Sequence, residues 1–502
     1  MKRAFLLFFV ILFSSTLLFA GGSKESATDG KVIRVAEQIP GLITPGVWDG
    51  QAFSMNSSIY EYLVEIDVEN GELQPLLAES WSTDDGSNWT FNLQKGVKFH
   101  NGTEFNAEDV KFTITRTQDP SLGHLKKADF EVVKDVEIID DYTVIIHLKE
   151  ARPTFIYQLT DYNMAILSSE YDYDRYGESA PMGTGPYKME RLIPKESAVL
   201  TKNKEYWVED LPKIDQIQIY FIGDIDASIS MLEDNRVDVV PFVTPTIKNR
   251  LDNVAHVSVI SPYQEQRFVA MRVDQKPFDD NNVRLAFKYA MDPHIIARSV
   301  TQMELEDGSY YNETPIMNML AEYKEKPLRK RDIEKAKSLL NKAGYPNGVK
   351  VDLYYASDHP FGKELSQTLK ELAAPAGFDL NLKGYTRDIY LSQYWLNVPM
   401  SITGWGGRID PSMLLALAFK SGGSWNETHM SDSYIDSLID KISNEIDDEK
   451  RVSYYHDLQD WFYENGALIN VQVPYLVAIN DKVINYSQPL TMIPQYKYMD
   501  VK

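Results

Sequence analysis

The chain contains no cysteine. That single absence excludes a disulfide framework, thiol catalysis and thiolate metal sites. Histidine is sparse, eight in 502 residues, and no pair has the H-E-x-x-H or another helical spacing suited to a metal. Also missing are the G-x-S-x-G nucleophile elbow, the P-loop and the dinucleotide glycine fingerprint. Asp84-Asp85-Gly86 lacks the ligand spacing of a calcium loop. Positive charge is in deficit: 51 basic against 73 acidic residues leaves −22, which argues against nucleic acid as a partner because phosphate binding needs clustered Lys and Arg. Long apolar runs are confined to the N-terminus. There Lys2-Arg3 precedes an uncharged apolar stretch from Ala4 to Phe19, then the small residues Ala20-Gly21-Gly22 and the polar SKESATDG. This is the pattern of a cleaved secretion signal, residues 1–22. The apolar run is shorter than the roughly 20 residues a membrane span requires.

What remains is a folded-protein composition, 43% apolar and 25% charged, with no internal repeat or low-complexity tract after the signal. Its length exceeds what one core usually supports, so at least two lobes are expected. Paired acids such as Asp279-Asp280 and Asp447-Asp448 have the residue types of glycoside chemistry, but they fall in turn-like or helix-surface contexts where solvated acids are far commoner. A secreted hydrolase is therefore the disfavoured class.

The most patterned stretch runs from Leu73 to Thr113. Within it WTFNLQ alternates apolar and polar residues, the period of a half-buried strand, and Asp84-Asp85-Gly86 has tight-turn chemistry. Phe99-His100-Asn101-Gly102 reads as a second turn. Asn106 reads as the N-cap of a helix with acids in its first turn. Further along, short strands are expected at residues 31–36, 131–139, 143–148, 214–221, 349–355 and 379–383, and helices at residues 52–64, 226–235 and 361–374. Val283, Ala286, Phe287 and Ala290 fall at i, i+3, i+4 and i+7, one face of an amphipathic helix. The helix from Ile333 is closed by Gly344. Strands alternating with helices indicate an α/β lobe.

The order and spacing of Leu77-Ala78-Glu79-Ser80-Trp81, Asp85-Gly86, Lys95-Gly96-Val97-Lys98-Phe99-His100, Gly102 and Ala107-Glu108-Asp109-Val110 closely resemble the signature region of bacterial extracellular solute-binding proteins of family 5. These are the dipeptide-, oligopeptide- and nickel-binding receptors of ABC importers. Gly183-Thr184-Gly185-Pro186-Tyr187 matches that family's G-T-G-P-Y, and Asn203 with Tyr206-Trp207 its N-x-x-Y-W. Two further matches lie at residues 277–292 and 333–345.

The resemblance implies an α/β, two-lobed clamshell of the periplasmic-binding-protein type (class II, cluster C) with an extra subdomain. Lobe I would hold residues 23–262, with the subdomain at about 66–180, and lobe II residues 263–475, while residues 476–502 return to lobe I. It implies no enzyme and no cofactor or resident metal. The partners implied are a small-molecule or peptide ligand and ABC permease subunits with their ATPases, the receptor itself being a monomer. Without the lipid-modified cysteine that tethers many relatives, a freely periplasmic protein is expected. A short peptide or peptide-like solute is the first expectation for the ligand. An opine, an oligosaccharide or a chelated nickel ion, or a sensing role without transport, stay open.

For ligand contacts the telling segment is Met400 to Pro411, an apolar strand ending in Gly404-Trp405-Gly406-Gly407-Arg408-Ile409-Asp410. Glycines allow close approach to the backbone, Trp405 offers a flat apolar face with one N–H, and Arg408 has the fork that grips a carboxylate. The alternative makes Trp405 a core residue and Arg408–Asp410 a local pair. Relatives that bind peptides carry an aspartate where Arg408 stands, so the charge is reversed; Asp410 lies two residues on. Relatives also have asparagine where Arg272 stands. Two arginines point to an anionic ligand, unless Arg272 pairs with Asp274 or Asp279. Trp48, in the loop at residues 39–53, is the lobe I candidate. Asp358 and His359, at a strand end, complete the set.

Overall fold

The computed structural model describes residues 30–47, 53–67, 71–177, 179–302, 310–358, 361–406, 410–489 and 493–502; the expected secretion signal lies outside them. Among the described residues, no helix is long and apolar enough to cross a membrane.

One mixed sheet of 11 strands runs through the molecule. Its spatial order is Phe378–Tyr385, Val349–Ala356, Met400–Trp405, Val257–Met271, Leu468–Asn480, Val239–Val243, Val32–Glu37, Gln216–Phe221, Ser197–Lys202 and Tyr187–Ile193. The short strand Tyr311–Asn312 also pairs with Leu468–Asn480. Two of these strands are unusually long, 15 residues for Val257–Met271 and 13 for Leu468–Asn480. They pair antiparallel, with Val259 opposite Ala478 at one end and Val269 opposite Ile469 at the other. At about 3.3 Å per residue they are long enough to serve two separate cores. Their register shifts between Ile260 and Tyr263, and there Tyr263 stacks on Tyr475 with ring centroids 4.5 Å apart.

On one side of this shift, Ile33, Phe91, Tyr187, Ile217 and Val477 share a core. On the other, Phe287, Leu353, Leu365, Leu380 and Ile469 share another. The two-lobed α/β architecture implied by the sequence is the one observed. Away from the long strands, hydrogen bonds join the lobes at two places among the described residues. Thr154 Oγ1 lies 3.1 Å from Ser412 Oγ, both buried. Gln302 donates to Thr246 Oγ1 at 2.9 Å and accepts from Asn249 at 2.7 Å.

Local sequence accounts for many elements. In Asn88–Leu93 the residues Trp89, Phe91 and Leu93 are buried while Asn88 and Asn92 are exposed, the expected period of two. Burying each such side chain is worth about 1.5–3 kcal/mol. Asn106 caps the Ala107–Gln118 helix, accepting from Glu108 N–H, while Asp109 reaches back to the Asn106 N–H at 2.9 Å. Reciprocal capping of this kind satisfies two otherwise orphaned donors. The Asn281–Ala290 helix buries Val283, Ala286, Phe287 and Ala290 as expected.

One expected helix is cut short. The helix read over residues 52–64 ends at Ile59, because its carbonyl accepts from Gly185 N–H at 2.9 Å. The next residues instead accept from the neighbouring hairpin, Tyr62 from Leu77 N–H and Leu63 from Ala78 N–H.

The sequence motifs of lobe I converge around that point. His100 N–H donates to Gly183 O at 2.9 Å, and His100 Nε2 lies 3.0 Å from Gly185 O. Asn203 donates to the same carbonyl at 3.2 Å. Tyr206 and Trp207 donate to the buried Glu61 carboxylate at 2.6 and 3.0 Å. The pattern that spans these segments therefore holds lobe I together.

Candidate functional site

In an open α/β sheet, ligands collect beyond the carboxyl ends of parallel strands. Val349–Ala356 and Met400–Trp405 are such a pair, with Tyr355 opposite Ile402, and they end side by side at Ala356 and Trp405. A concavity of about 400 Å³ opens there, lined by Arg267, Ala356, Gly362, Arg387, Thr403 and Gly404 among others.

The residues singled out from sequence fall as follows. Gly404 is exposed and Gly406 half-buried. Trp405 is buried, its ring packed on Phe268 and Trp425 with centroids 5.9 and 5.6 Å away. Its N–H is already committed, donating to Glu427 at 2.9 Å. Glu427 also accepts from Ser401 at 3.1 Å, and burial raises its pKa above the ordinary carboxylate value. An uncompensated buried carboxylate would be costly, so these donors fix the indole's orientation. Trp425, 41% exposed, is the open member of this aromatic group.

Asp410 is buried and fully engaged. It accepts from Ser412 N–H and Oγ, both at 2.8 Å, and from the Tyr455 hydroxyl at 2.9 Å. Burial raises its pKa. Because the one Ser412 hydroxyl proton goes to Asp410, Thr154 must donate to Ser412 across the lobes. Asp410 thus orients a contact between the two halves of the molecule.

Arg272 makes two parallel hydrogen bonds to Asp274, at 2.8 and 3.0 Å, and these hold the Asp274 pKa below its ordinary value. The alternative of a local pair is the one realised for it. Its position also separates it from the strand end. Met271 pairs with Met400, whereas Arg267 is the residue opposite Gly404. Five strand steps of about 3.3 Å put Arg272 roughly 16 Å from that point. Asp358 is exposed and accepts from Arg387 N–H at 2.7 Å, which ties the start of the short helix Arg387–Ile389 to the wall of the concavity. Trp48, His359 and Arg408 lie outside the described residues.

Arg267, Arg387, Glu427 and Trp425 were not singled out from sequence. For Arg267 a signal exists: it is a charged residue directly before Phe268-Val269-Ala270-Met271, all buried strand. Nothing local distinguishes Glu427 or Trp425, whose positions follow from tertiary packing.

A second concavity, about 490 Å³, lies within lobe I beside Glu61, Glu65 and Lys497. Its charges are answered internally, Lys497 pairing with Glu65 at 2.8 Å. Among the described residues no group of three or more His, Cys, Asp or Glu is placed to hold a metal ion.

The sequence profile described as "Bacterial extracellular solute-binding proteins, family 5 Middle" matches residues 72–426, well over half of the chain. The chain belongs to this family. Members of this family are solute-binding proteins. The glutathione-binding protein GsiB of Escherichia coli (strain K12) is 28% identical over 444 residues, 85% of each chain. Among solved structures, the periplasmic binding protein DppA of Helicobacter pylori, in complex with the peptide STSA, superposes with a TM-score of 0.80 at 23% identity, covering 94% of this chain and 98% of that one. NikZ of Campylobacter jejuni, in complex with Ni(L-His), gives 0.77 at 22% identity, covering 94% and 97%. At such identities the structural likenesses establish the fold of this solute-binding protein and leave its ligand to its own site.

Proposed function

We propose that this protein is an extracytoplasmic, periplasmic receptor that encloses a short peptide or peptide-like solute between its lobes and delivers it to the permease of an ABC importer. The observation that carries the reading is the open, glycine-edged strand end at Gly404. It sits beside Val257–Met271, one of the two long strands that join the lobes. A relative named for glutathione and a structural neighbour holding a tetrapeptide support a guest of this size. Gly404 and Gly406 would admit the guest's backbone, with Trp405 as a wall held by Glu427. Trp48, Arg408 and His359 keep their candidate roles, and Asp358 acts through the short helix it anchors at Arg387. Arg272 and Asp410 support the scaffold.

Enclosure is a population shift: a guest favours the closed state only by contacts it cannot make in the open one. Moving from 1:99 to 99:1 closed needs about 5.5 kcal/mol. A charge-assisted grip, an aromatic wall and several backbone hydrogen bonds are of that order.

The test is mass spectrometry of whatever is released from the purified protein by denaturation, followed by solution scattering with and without the released compound. A peptide-sized mass, and a smaller radius of gyration when it is added back, are expected. Scattering curves that superimpose, or a compound that emerges chemically changed, would overturn the receptor reading. A nickel chelate or an opine in the spectrum would keep the receptor and replace the ligand.

A further inference from the structure

Thr154 and Ser412 stand at the starts of two short helices, one in each lobe. Thr154 precedes Phe155–Gln158, and Ser412 opens Ser412–Ala418. A threonine in that place ordinarily turns its hydroxyl onto the first N–H groups of its own helix. Thr154 does not. Its side chain caps nothing, and its Oγ1 lies instead against Ser412 Oγ of the other lobe, 3.1 Å away. The two residues are only 5% and 6% exposed.

On the lobe II side the acceptor is ready beforehand. Ser412 gives its N–H and its hydroxyl proton to Asp410, and Tyr455 gives its own hydroxyl proton to the same carboxylate. None of these bonds involves lobe I, so parting the lobes leaves them in place and removes only the bond from Thr154. The surroundings agree that this face is shared. Tyr157, one turn further along the lobe I helix, has its hydroxyl pushed up to about 12 by burial, and then by the charges of Asp410 and Glu322, both in lobe II. The other contact between the lobes is of a different kind. Gln302 meets Thr246 and Asn249 in an exposed position, where water replaces such bonds at little cost. The Thr154–Ser412 bond is shielded from water, and a shielded hydrogen bond is the stronger one.

We propose that Thr154 and Ser412 form a latch, a buried hydrogen bond made only when the lobes are shut, which sets how much of the solute-free protein is closed and how slowly a guest leaves. The proposal rests on the two-lobed receptor reading and adds to it a closing contact that belongs to the protein itself, whatever the guest. A guest then has to supply correspondingly less of the free energy of closure.

The chain has no cysteine, so Glu190→Cys in lobe I and Lys350→Cys in lobe II, both exposed positions, give the full chain two unique attachment points for dyes. Single-molecule energy transfer then counts open and closed molecules after bound solute has been stripped away. A hydrogen bond of ordinary net strength corresponds to roughly a twofold to tenfold change in such a ratio. Thr154→Val removes the hydroxyl and is expected to lower the closed-to-open ratio by about that factor, whereas Thr154→Ser restores it. When the compound that co-purifies with the parent is added back, the valine variant should release it faster by the same factor and bind it at the parental rate. Ser412→Ala should lower the ratio as well, and Thr154→Val introduced on top of it should add nothing.

The melting temperature of the stripped protein separates a latch from ordinary packing. The open form lacks the bond, so Thr154→Val should leave that temperature unchanged. A closed-to-open ratio unaffected by Thr154→Val would overturn the latch, and a lower melting temperature beside it would show the pair to be fixed packing. Additive losses in the double variant would overturn it too, since the two hydroxyls would then act separately. A single state of energy transfer, the same with and without the compound, would overturn the receptor reading itself and the latch with it.

Discussion

Two segments of this protein look alike in sequence, Gly183-Thr184-Gly185 in lobe I and Gly404-Trp405-Gly406 in lobe II, and the fold uses them in opposite ways. In the first, both glycines are buried against another stretch of backbone. A Cβ on Gly183 would stand 2.3 Å from Ile59 O, and one on Gly185 2.6 Å from the same carbonyl. In the second, Gly404 is exposed at the edge of a concavity. A glycine pair signals that something comes close to the main chain; whether that is the protein itself or a guest depends on what the fold brings there. Each pair also has a buried glutamate near it: Glu61 accepts from Tyr206 and Trp207, and Glu427 from Trp405 itself and Ser401. The difference lies in what covers the glycines.

The comparison predicts its largest effect at Gly183. Its nearest neighbours are the Ile59 carbonyl and the Tyr60 ring and backbone, and the carbonyl cannot swing aside without breaking the Gly185 N–H bond to it. Gly183→Ala is expected to destabilise lobe I by about 3 kcal/mol, the upper range for overpacking, read from chemical denaturation. Ligand affinity under folding conditions should be unchanged. A variant that unfolds at the parental denaturant concentration would show that the lobe I pair is not tightly packed, and the contrast would be lost.

A second effect, of no larger reach, lies in the response of lobe I to protons. Glu37, at the end of its strand in lobe I, is pushed up to about 7 by burial, against hydrogen bonds from Ser54 that oppose the shift. Its Oε2 finds no partner. The folded state therefore binds this proton more tightly than the unfolded chain does. The resulting stabilisation is present in full below the ordinary carboxylate value and is lost as pH rises through about 7. The reach of the effect is up to about 3 kcal/mol at roughly 1.4 kcal/mol per pH unit. His100 and His124, lowered to about 4 by burial, act in the opposite sense, losing stability as pH falls below their ordinary value. The informative quantity is thus the difference between the parent and Glu37→Gln. That difference should grow in favour of the variant between about pH 5 and pH 8, and parallel profiles would place Glu37 in contact with water.

Local pattern made much of the scaffold legible. The Asn106 cap, the alternation through Asn88–Leu93 and the apolar face of Asn281–Ala290 are short-range features with short-range causes. Tertiary contacts were harder to read. The helix beginning at Phe53 stops at Ile59 because Gly185, more than a hundred residues away, claims its last carbonyl. The strands Val257–Met271 and Leu468–Asn480 carry both cores, which no local period reveals. At the site, sequence identified the strand end and its glycines. It directed attention to Arg272, which pairs with Asp274, and not to Arg267, five residues earlier and opposite Gly404. The register of a distant strand decides between those two arginines, and register is set by the whole sheet.

The smallest change in stability, and the sharpest test of the contrast, is expected at Gly404. It lies within a regular strand, paired with Arg267, so alanine meets no unusual backbone demand. An exposed substitution of this kind usually changes stability by no more than about 0.5 kcal/mol. The added methyl nevertheless occupies the wall of a concavity of only about 400 Å³, where a guest's backbone would have to approach. Gly404→Ala is therefore expected to leave the melting temperature in place and to weaken solute binding severalfold, measured by calorimetry with the compound that co-purifies. The reverse outcome, a less stable protein that binds as before, would mean that Gly404 packs against the chain just as Gly183 does. The open strand end would then have no claim on the ligand.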